Sequence, residues 1–142
     1  MEIEYNGFII SDDKDKLQVH RIREMLAESY WAKSRTEDVI KLSFEHALCF
    51  GVYYQEKQVG FARCLTDYAT MYWLGDVIID DAYRGLGLGK ALVEAAVGHE
   101  SIRGLKGRLE TNDAHGLYER FGFRAVEGKY MVKRETDSGI FE

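Results

Sequence analysis

The sequence predicts an α/β chain of the α+β type, a single domain over residues 1–142 built on a mixed sheet, and three observations carry that expectation. Three strand-like runs at 49–55, 58–66 and 71–79 follow one another with connections so short that neighbours must be antiparallel. The third run leads directly into a Gly-rich turn and a helix, through Asp76-Val-Ile-Ile-Asp-Asp-Ala-Tyr-Arg-Gly-Leu-Gly-Leu-Gly-Lys90 and Ala91-Leu-Val-Glu-Ala-Ala-Val97. A short strand at 108–111 comes after that helix, and a right-handed crossover sets it parallel to the strand ending at Ile79.

Composition limits what such a chain can be. Its 142 residues suffice for one core and fall short of two ordinary domains. With 46% hydrophobic and 30% charged residues it is globular in composition. The net charge of -5 and the lack of a basic run interleaved with aromatics argue against nucleic acid as a partner. No stretch approaches the roughly 18 apolar residues that a spanning helix needs, and no charged-then-apolar leader opens the chain. A cytoplasmic protein without membrane contact is expected. Cys49 and Cys64 sit in apolar runs without Cys/His ligand spacing, so free buried thiols and no metal are expected.

Taken in order, the first ten residues, with Tyr5, Phe8, Ile9 and Ile10 around Asn6-Gly7, read as one edge strand bent at the glycine. Ser11-Asp12-Asp13 offers helix-start chemistry ahead of an apolar face at Leu17, Ile22, Met25 and Leu26, in a helix ending near Ser29. Thr36 is the expected N-cap of a second, short helix reaching about Ala47. The hairpin between 49–55 and 58–66 turns at Glu56-Lys57, and Asp67-Tyr68-Ala69-Thr70 makes the next turn. The helix over 87–99 turns Leu88, Ala91, Leu92 and Ala95 to the core. Residues 113–121 form a helix capped by Asn112 or Asp113 and stopped by Gly122, while 123–126 and 129–133 are closing strands. The tail over 135–142 carries little pattern.

The Gly-rich turn is a backbone-built anion site. Its glycines let the main chain approach a ligand, and the free N–H groups of the new helix point at negative charge. A P-loop is excluded, because the residue five before Gly89 is Arg84 and Lys90 is followed by Ala91, leaving no hydroxyl for magnesium. A dinucleotide fingerprint fits poorly, since Gly85-Leu86-Gly87 needs a glycine where Lys90 stands.

What remains is Arg-x-x-Gly-x-Gly at Arg84, Gly87 and Gly89, which resembles the acyl-CoA pyrophosphate loop of the GNAT superfamily of N-acetyltransferases. A second stretch, Ala114-x-x-Leu117-Tyr118-Glu-Arg-Phe-Gly122-Phe123, is similar to that superfamily's other signature. Two matches in family order, with the meander before them, cover residues 51–123. The resemblance implies a central sheet of about six to seven strands, splayed between the fourth and fifth and flanked by about four helices. It implies acetyl-CoA as co-substrate in the opening. The pyrophosphate is then expected on Arg84, Gly85, Leu86, Gly87, Leu88, Gly89 and Lys90, and the pantetheine arm along Val77, Ile78 and Ile79, with Thr111 and Ala114 beside it. Two positions depart from the pattern: Asp81 stands where many members carry Pro, and Thr111 where they carry Asn.

The same resemblance makes Tyr118 the general acid for the departing thiolate and the N–H of Val77 or Ile78 the oxyanion donor. A core aromatic beside Leu117 and Phe121 is the competing explanation of Tyr118. The acceptor amine must lose a proton, and Asp76 is the first candidate base, ahead of Glu110, with His115 and Asp67 behind. Tyr30, Trp31, Asp67, Tyr68, Tyr72 and Glu110, with Arg35, are the candidate acceptor walls, and such aromatic surfaces also suit a homodimer seam. The implied activity is acetyl transfer from acetyl-CoA to a primary amine, small molecule or peptide, by direct attack in a ternary complex. The alternative is a catalytically silent acyl-CoA-binding sensor or assembly subunit.

Overall fold

A computed structural model describes residues 1–135 and contains a six-stranded sheet in the order β1-β2-β3-β4-β5-β6. The first four pairings are antiparallel and the last is parallel. The first ten residues are two strands rather than one bent strand. β1 (Glu2–Tyr5) and β2 (Phe8–Ser11) form a hairpin, because Asn6 (φ 48°) and Gly7 (φ 88°) both take left-handed conformations and reverse the chain in two residues.

The first helix starts later than the apolar pattern suggests. The Asp13 carboxylate accepts from the Asp15 amide and closes a separate 3-10 turn at Lys14–Lys16, after which Leu17 and Gln18 are extended. α1 (Val19–Leu26) then begins where the Gln18 and Gln58 side chains each accept from the other's backbone amide, at 3.0 and 2.8 Å. α2 (Glu37–Phe44) carries the expected cap, with Thr36 Oγ1 accepting from the Val39 amide. β3 (Ala47–Tyr54) and β4 (Lys57–Thr66) follow as the anticipated hairpin, and β5 (Met71–Ile79) spans the expected residues.

After β5 a 3-10 turn at Asp81–Tyr83 and the Gly-rich loop lead into α3 (Leu88–Val97). β6 (Lys106–Arg108) lies earlier than expected and pairs only with Met71, Tyr72 and Trp73, so residues 109–111 leave the sheet. α4 (His115–Glu119) is not capped by Asn112 or Asp113: its N-cap position is Ala114, which has no side-chain cap, and Thr111 Oγ1 accepts from the Ala114 amide at 3.0 Å in the turn just ahead of the helix. It ends as anticipated at Gly122 (φ 90°), where Phe123 N–H reaches Tyr118 O and Gly122 N–H reaches Glu119 O. The closing strands expected at 123–126 and 129–133 do not form. Isolated strands are unstable without an edge to pair with, and the three-residue β6 offers too little of one. The tail beyond 135 lies outside the described residues.

Helices cover both faces of the sheet. On one, Phe50, Val52, Leu74, Leu88, Leu92 and Ile102 pack under α3 with Tyr118. On the other, Ile22, Leu26 and Ile40 of α1 and α2 pack on Cys49, Phe61 and Ile78. Each fully buried side chain of this kind contributes about 1.5–3 kcal/mol. Strict alternation would put Ile78 on the same face as Tyr72 and Leu74, yet it lies on the opposite one. An extra residue in β5 causes the switch.

Candidate active site between the parting strands

β4 and β5 pair steadily from Thr66↔Tyr72 to Arg63↔Gly75 and resume at Phe61↔Ile78. Ala62 therefore faces two residues, Asp76 and Val77, which makes a β-bulge. Asp76 adopts the left-handed conformation, φ 53°, at a cost of about 1–3 kcal/mol for a residue with a side chain. Its carboxylate is held on three sides. Oδ2 accepts from Arg35 Nη1 and Arg63 Nε, both at 2.6 Å, and Oδ1 accepts from Trp31 Nε1 at 2.9 Å.

Only 5% of the Asp76 side chain is exposed. Burial pushes its pKa up, but the charges of Arg35 and Arg63 and the hydrogen bonds from Arg63 and Trp31 outweigh it and hold the carboxyl below its ordinary value. A carboxylate that acidic, with both oxygens engaged, is a poor proton acceptor. Its surroundings suit an anchor for the bulge better than the base expected of it.

Past Trp73↔Arg108 the strands β5 and β6 part, and the gap is a cleft of about 740 Å³. β4 and β5 supply Arg63, Gly75, Asp76 and Val77; the α1–α2 connector supplies Tyr30, Trp31 and Arg35; the segment after β6 and α4 supply Glu110, Thr111, Ala114 and Tyr118. Tyr30 ties two sides together, its Oη accepting from the Asn112 amide at 3.1 Å. It also packs edge-on against Trp31 at 5.0 Å. Tyr118 is buried and edge-on to Phe123. Burial, with Tyr30 and Asp113 nearby, pushes its hydroxyl up to about 12, so it is held protonated.

Three expected acceptor residues lie elsewhere. Asp67 builds the β4–β5 turn, accepting from the Thr70 hydroxyl and the amides of Thr70 and Ala69, and these bonds pull its pKa well below the ordinary carboxylate range. Tyr68 (φ 61°) is exposed in that turn. Tyr72 is core, packed under α3 and opposite Gly107. His115 is exposed at the start of α4 and does not line the cleft. Ile78 sends its side chain to the face away from Val77 and Ile79.

The Gly-rich loop lies beyond the far end of β5. Gly85 and Gly87 both have φ 81°, a region open to glycine. The first α-helical bond of α3 is donated by Ala91 to Gly87 O at 3.1 Å, so the amides just before Ala91 have no intrahelical acceptor. A Cβ on Gly85 would touch nothing, whereas one on Gly87 would meet Tyr5 Oη at 2.6 Å. The packing makes no such demand at Gly89, where the nearest atom is 4.0 Å away. Arg84 folds back, its Nε donating to Ile79 O and its Nη1 pairing with Asp81 at 2.9 Å. Leu86 and Lys90 are exposed. Free helix-end amides, an open left-handed turn and nearby cations fit a phosphate group.

Sequence reasoning missed Arg63, although a lone charge inside the continuous apolar run of β4 signals a buried partner. It also missed Trp73 and Tyr130, whose rings stack at 5.9 Å while Tyr130 Oη donates to Glu110. That contact joins residues far apart in the chain and leaves no local signature. Among the described residues no group of three or more His, Cys, Asp or Glu side chains is placed to hold a metal ion, and no helix is long and apolar enough to cross a membrane.

A family model described as an acetyltransferase (GNAT) domain matches residues 45–125. A solved structure from Xanthomonas campestris pv. campestris, described as belonging to the GNAT family, is 35% identical with a TM-score of 0.85, covering 94% of this chain and 96% of that one. Glucosamine-6-phosphate N-acetyltransferase from Arabidopsis thaliana shares the fold at 20% identity, with a TM-score of 0.65 over 89% of this chain and 97% of its own. The Arabidopsis thaliana protein GCN5-related N-acetyltransferase 2, chloroplastic, is 46% identical over 43 residues, 30% of this chain. Such matches span only 17% to 19% of the relatives' own length.

Proposed function

This chain belongs to the GNAT acetyltransferase family, and from that premise we propose that it transfers an acetyl group from acetyl-CoA to a primary amine by direct attack in a ternary complex. The observation that carries this reading is the bulge at Asp76 and Val77, which faces the same cleft as Tyr118 where the sheet opens. Acetyl-CoA supplies the activated thioester, whose thiol of pKa about 8.5 leaves as a fairly stable anion.

The chain's own groups divide the work. The amides of the Gly85–Lys90 loop and the N-terminus of α3 bind the pyrophosphate, with Arg84 and Lys90 adding charge. The main chain of Val77 to Ile79 pairs with the pantetheine arm as an added strand, beside Thr111 and Ala114. At the bulge the N–H of Val77 or Ile78 stabilises the oxyanion, the largest electrostatic contribution expected in acyl transfer. Tyr118 gives its proton to the departing sulfur. Asp76 is assigned to positioning, because it keeps the bulge in shape. Glu110, exposed and in the same cleft, takes the amine proton through water.

One observation favours a second reading, an acyl-CoA binder without turnover. A phenol held at about 12 is a weaker donor to a thiolate than an ordinary tyrosine. Thiol release from acetyl-CoA against polyamines, aminoglycosides, arylalkylamines, amino acids and peptide N-termini decides between them. Turnover with any acceptor supports the transferase; tight CoA binding with none supports the binder.

A further inference from the structure

The floor of the cleft carries a charge imbalance. Two guanidiniums, Arg35 and Arg63, meet one carboxylate, Asp76, which leaves a surplus of one positive charge. Both arginines line the cleft, yet their side chains are only 22% and 17% exposed. Each guanidinium has five N–H donors. Arg35 spends Nη1 on Asp76 and Arg63 spends Nε, and no other side-chain bond from either forms among the described residues. A surplus charge with spare donors in a half-buried site is costly until an anion meets it. The cleft's other acidic side chains, Glu110, Asp113 and Glu135, are all exposed, among the described residues none forms an ion pair with Arg35 or Arg63, and Glu110 accepts from Tyr130.

Resting on the transferase reading above, we propose that the acceptor is a small amino carboxylate, an α- or β-amino acid whose carboxylate docks on the spare N–H groups of Arg35 and Arg63. The docking point adjoins the Asp76–Val77 bulge, so carboxylate and amine must be close together in the molecule, which excludes long ω-amino acids. A monoanion matches the single surplus charge; a phosphate monoester brings about 1.5–2 negative charges at neutral pH and overshoots it. The planar fork of arginine also suits a carboxylate. Trp31 holds one side of the pair in place through Asp76 Oδ1.

The test is thiol release from acetyl-CoA with matched acceptors: free amino acids of several side-chain classes, the corresponding carboxamides, aminoethyl phosphate, polyamines and arylalkylamines. Acids are expected to exceed their carboxamides in kcat/KM by about tenfold or more, mainly through KM, as a charge-assisted hydrogen bond allows. The preference cannot come from the amine itself, because carboxamides have the less basic and more readily neutral amine. Arg63→Lys keeps the charge opposite Asp76 but loses the fork, and should shrink the acid-to-carboxamide ratio while leaving CoA affinity in place. Carboxamides, the phosphate or simple amines used as well as the acids overturn the proposal and leave the transferase reading standing. Absence of thiol release from every acceptor overturns both.

Discussion

Arg63 Nε lies 2.6 Å from Asp76 Oδ2 across the β4–β5 pairing, at the point where the two strands lose register. The ion pair and the bulge are therefore one feature. The strained φ of Asp76 is kept because its carboxylate has somewhere to go, and the strand's later residues change faces as a result.

Arg63→Met removes one of two cations from a carboxylate that stays buried. Stripping a buried charge of its partner costs about 3–5 kcal/mol; with Arg35 still in place the loss should be lower, about 2–3 kcal/mol. Adding Asp76→Asn to Arg63→Met should recover part of that loss. Urea denaturation with an unchanged m-value is the measurement, and a midpoint equal to that of the parent protein would mean the pair contributes nothing.

The same pair sets an acid dependence. The folded pKa of Asp76 lies below its ordinary value of 3.8, so its stabilisation is fully present above that value and fades as pH falls below it towards the depressed folded pKa. Asp12, Asp67 and Asp80 are shifted in the same direction. Asp76→Asn should thus flatten, without abolishing, the acid limb of a stability-versus-pH curve below about pH 4. A limb of unchanged steepness would show that Asp76 is not depressed.

Gly85→Ala and Gly87→Ala separate strain from collision. Both positions have φ 81°, where a Cβ costs about 1–2 kcal/mol, but only at Gly87 does the new methyl meet Tyr5 Oη. Thermal denaturation should rank Gly87→Ala as the less stable, with Tyr5→Phe recovering the difference. Both variants should weaken CoA binding by calorimetry if the loop holds pyrophosphate.

Tyr118→Phe removes the assigned acid and little else, since the ring and its edge-on contact with Phe123 survive. The turnover number should fall by about 10²-fold with CoA affinity unchanged. Because burial holds the hydroxyl at about 12, the parent enzyme should show no alkaline loss attributable to Tyr118 below about pH 11. Equal turnover in the variant leaves the phenol a packing residue.

Much of this protein is written locally. The hairpin of β3 and β4, the span of β5, the Thr36 cap, the turn at Gly85 and Gly87 and the Gly122 stop depend on periodicity and on backbone freedoms, which neighbouring residues settle among themselves. So do Tyr118 and the loop motif, which sit on those elements. Tertiary structure decided the rest. Whether Asp76 is a free base or a triply bonded anchor depends on a one-residue offset between strands, and on Trp31 and Arg35 arriving from a connector more than forty positions earlier. Tyr72 became core rather than acceptor wall because it lies where β5 and β6 are still paired, opposite Gly107 and under α3, and the strands expected after Phe123 found too short an edge to join. Side-chain period says which residues alternate; only the pairing register, set by distant parts of the chain, says to which face they turn.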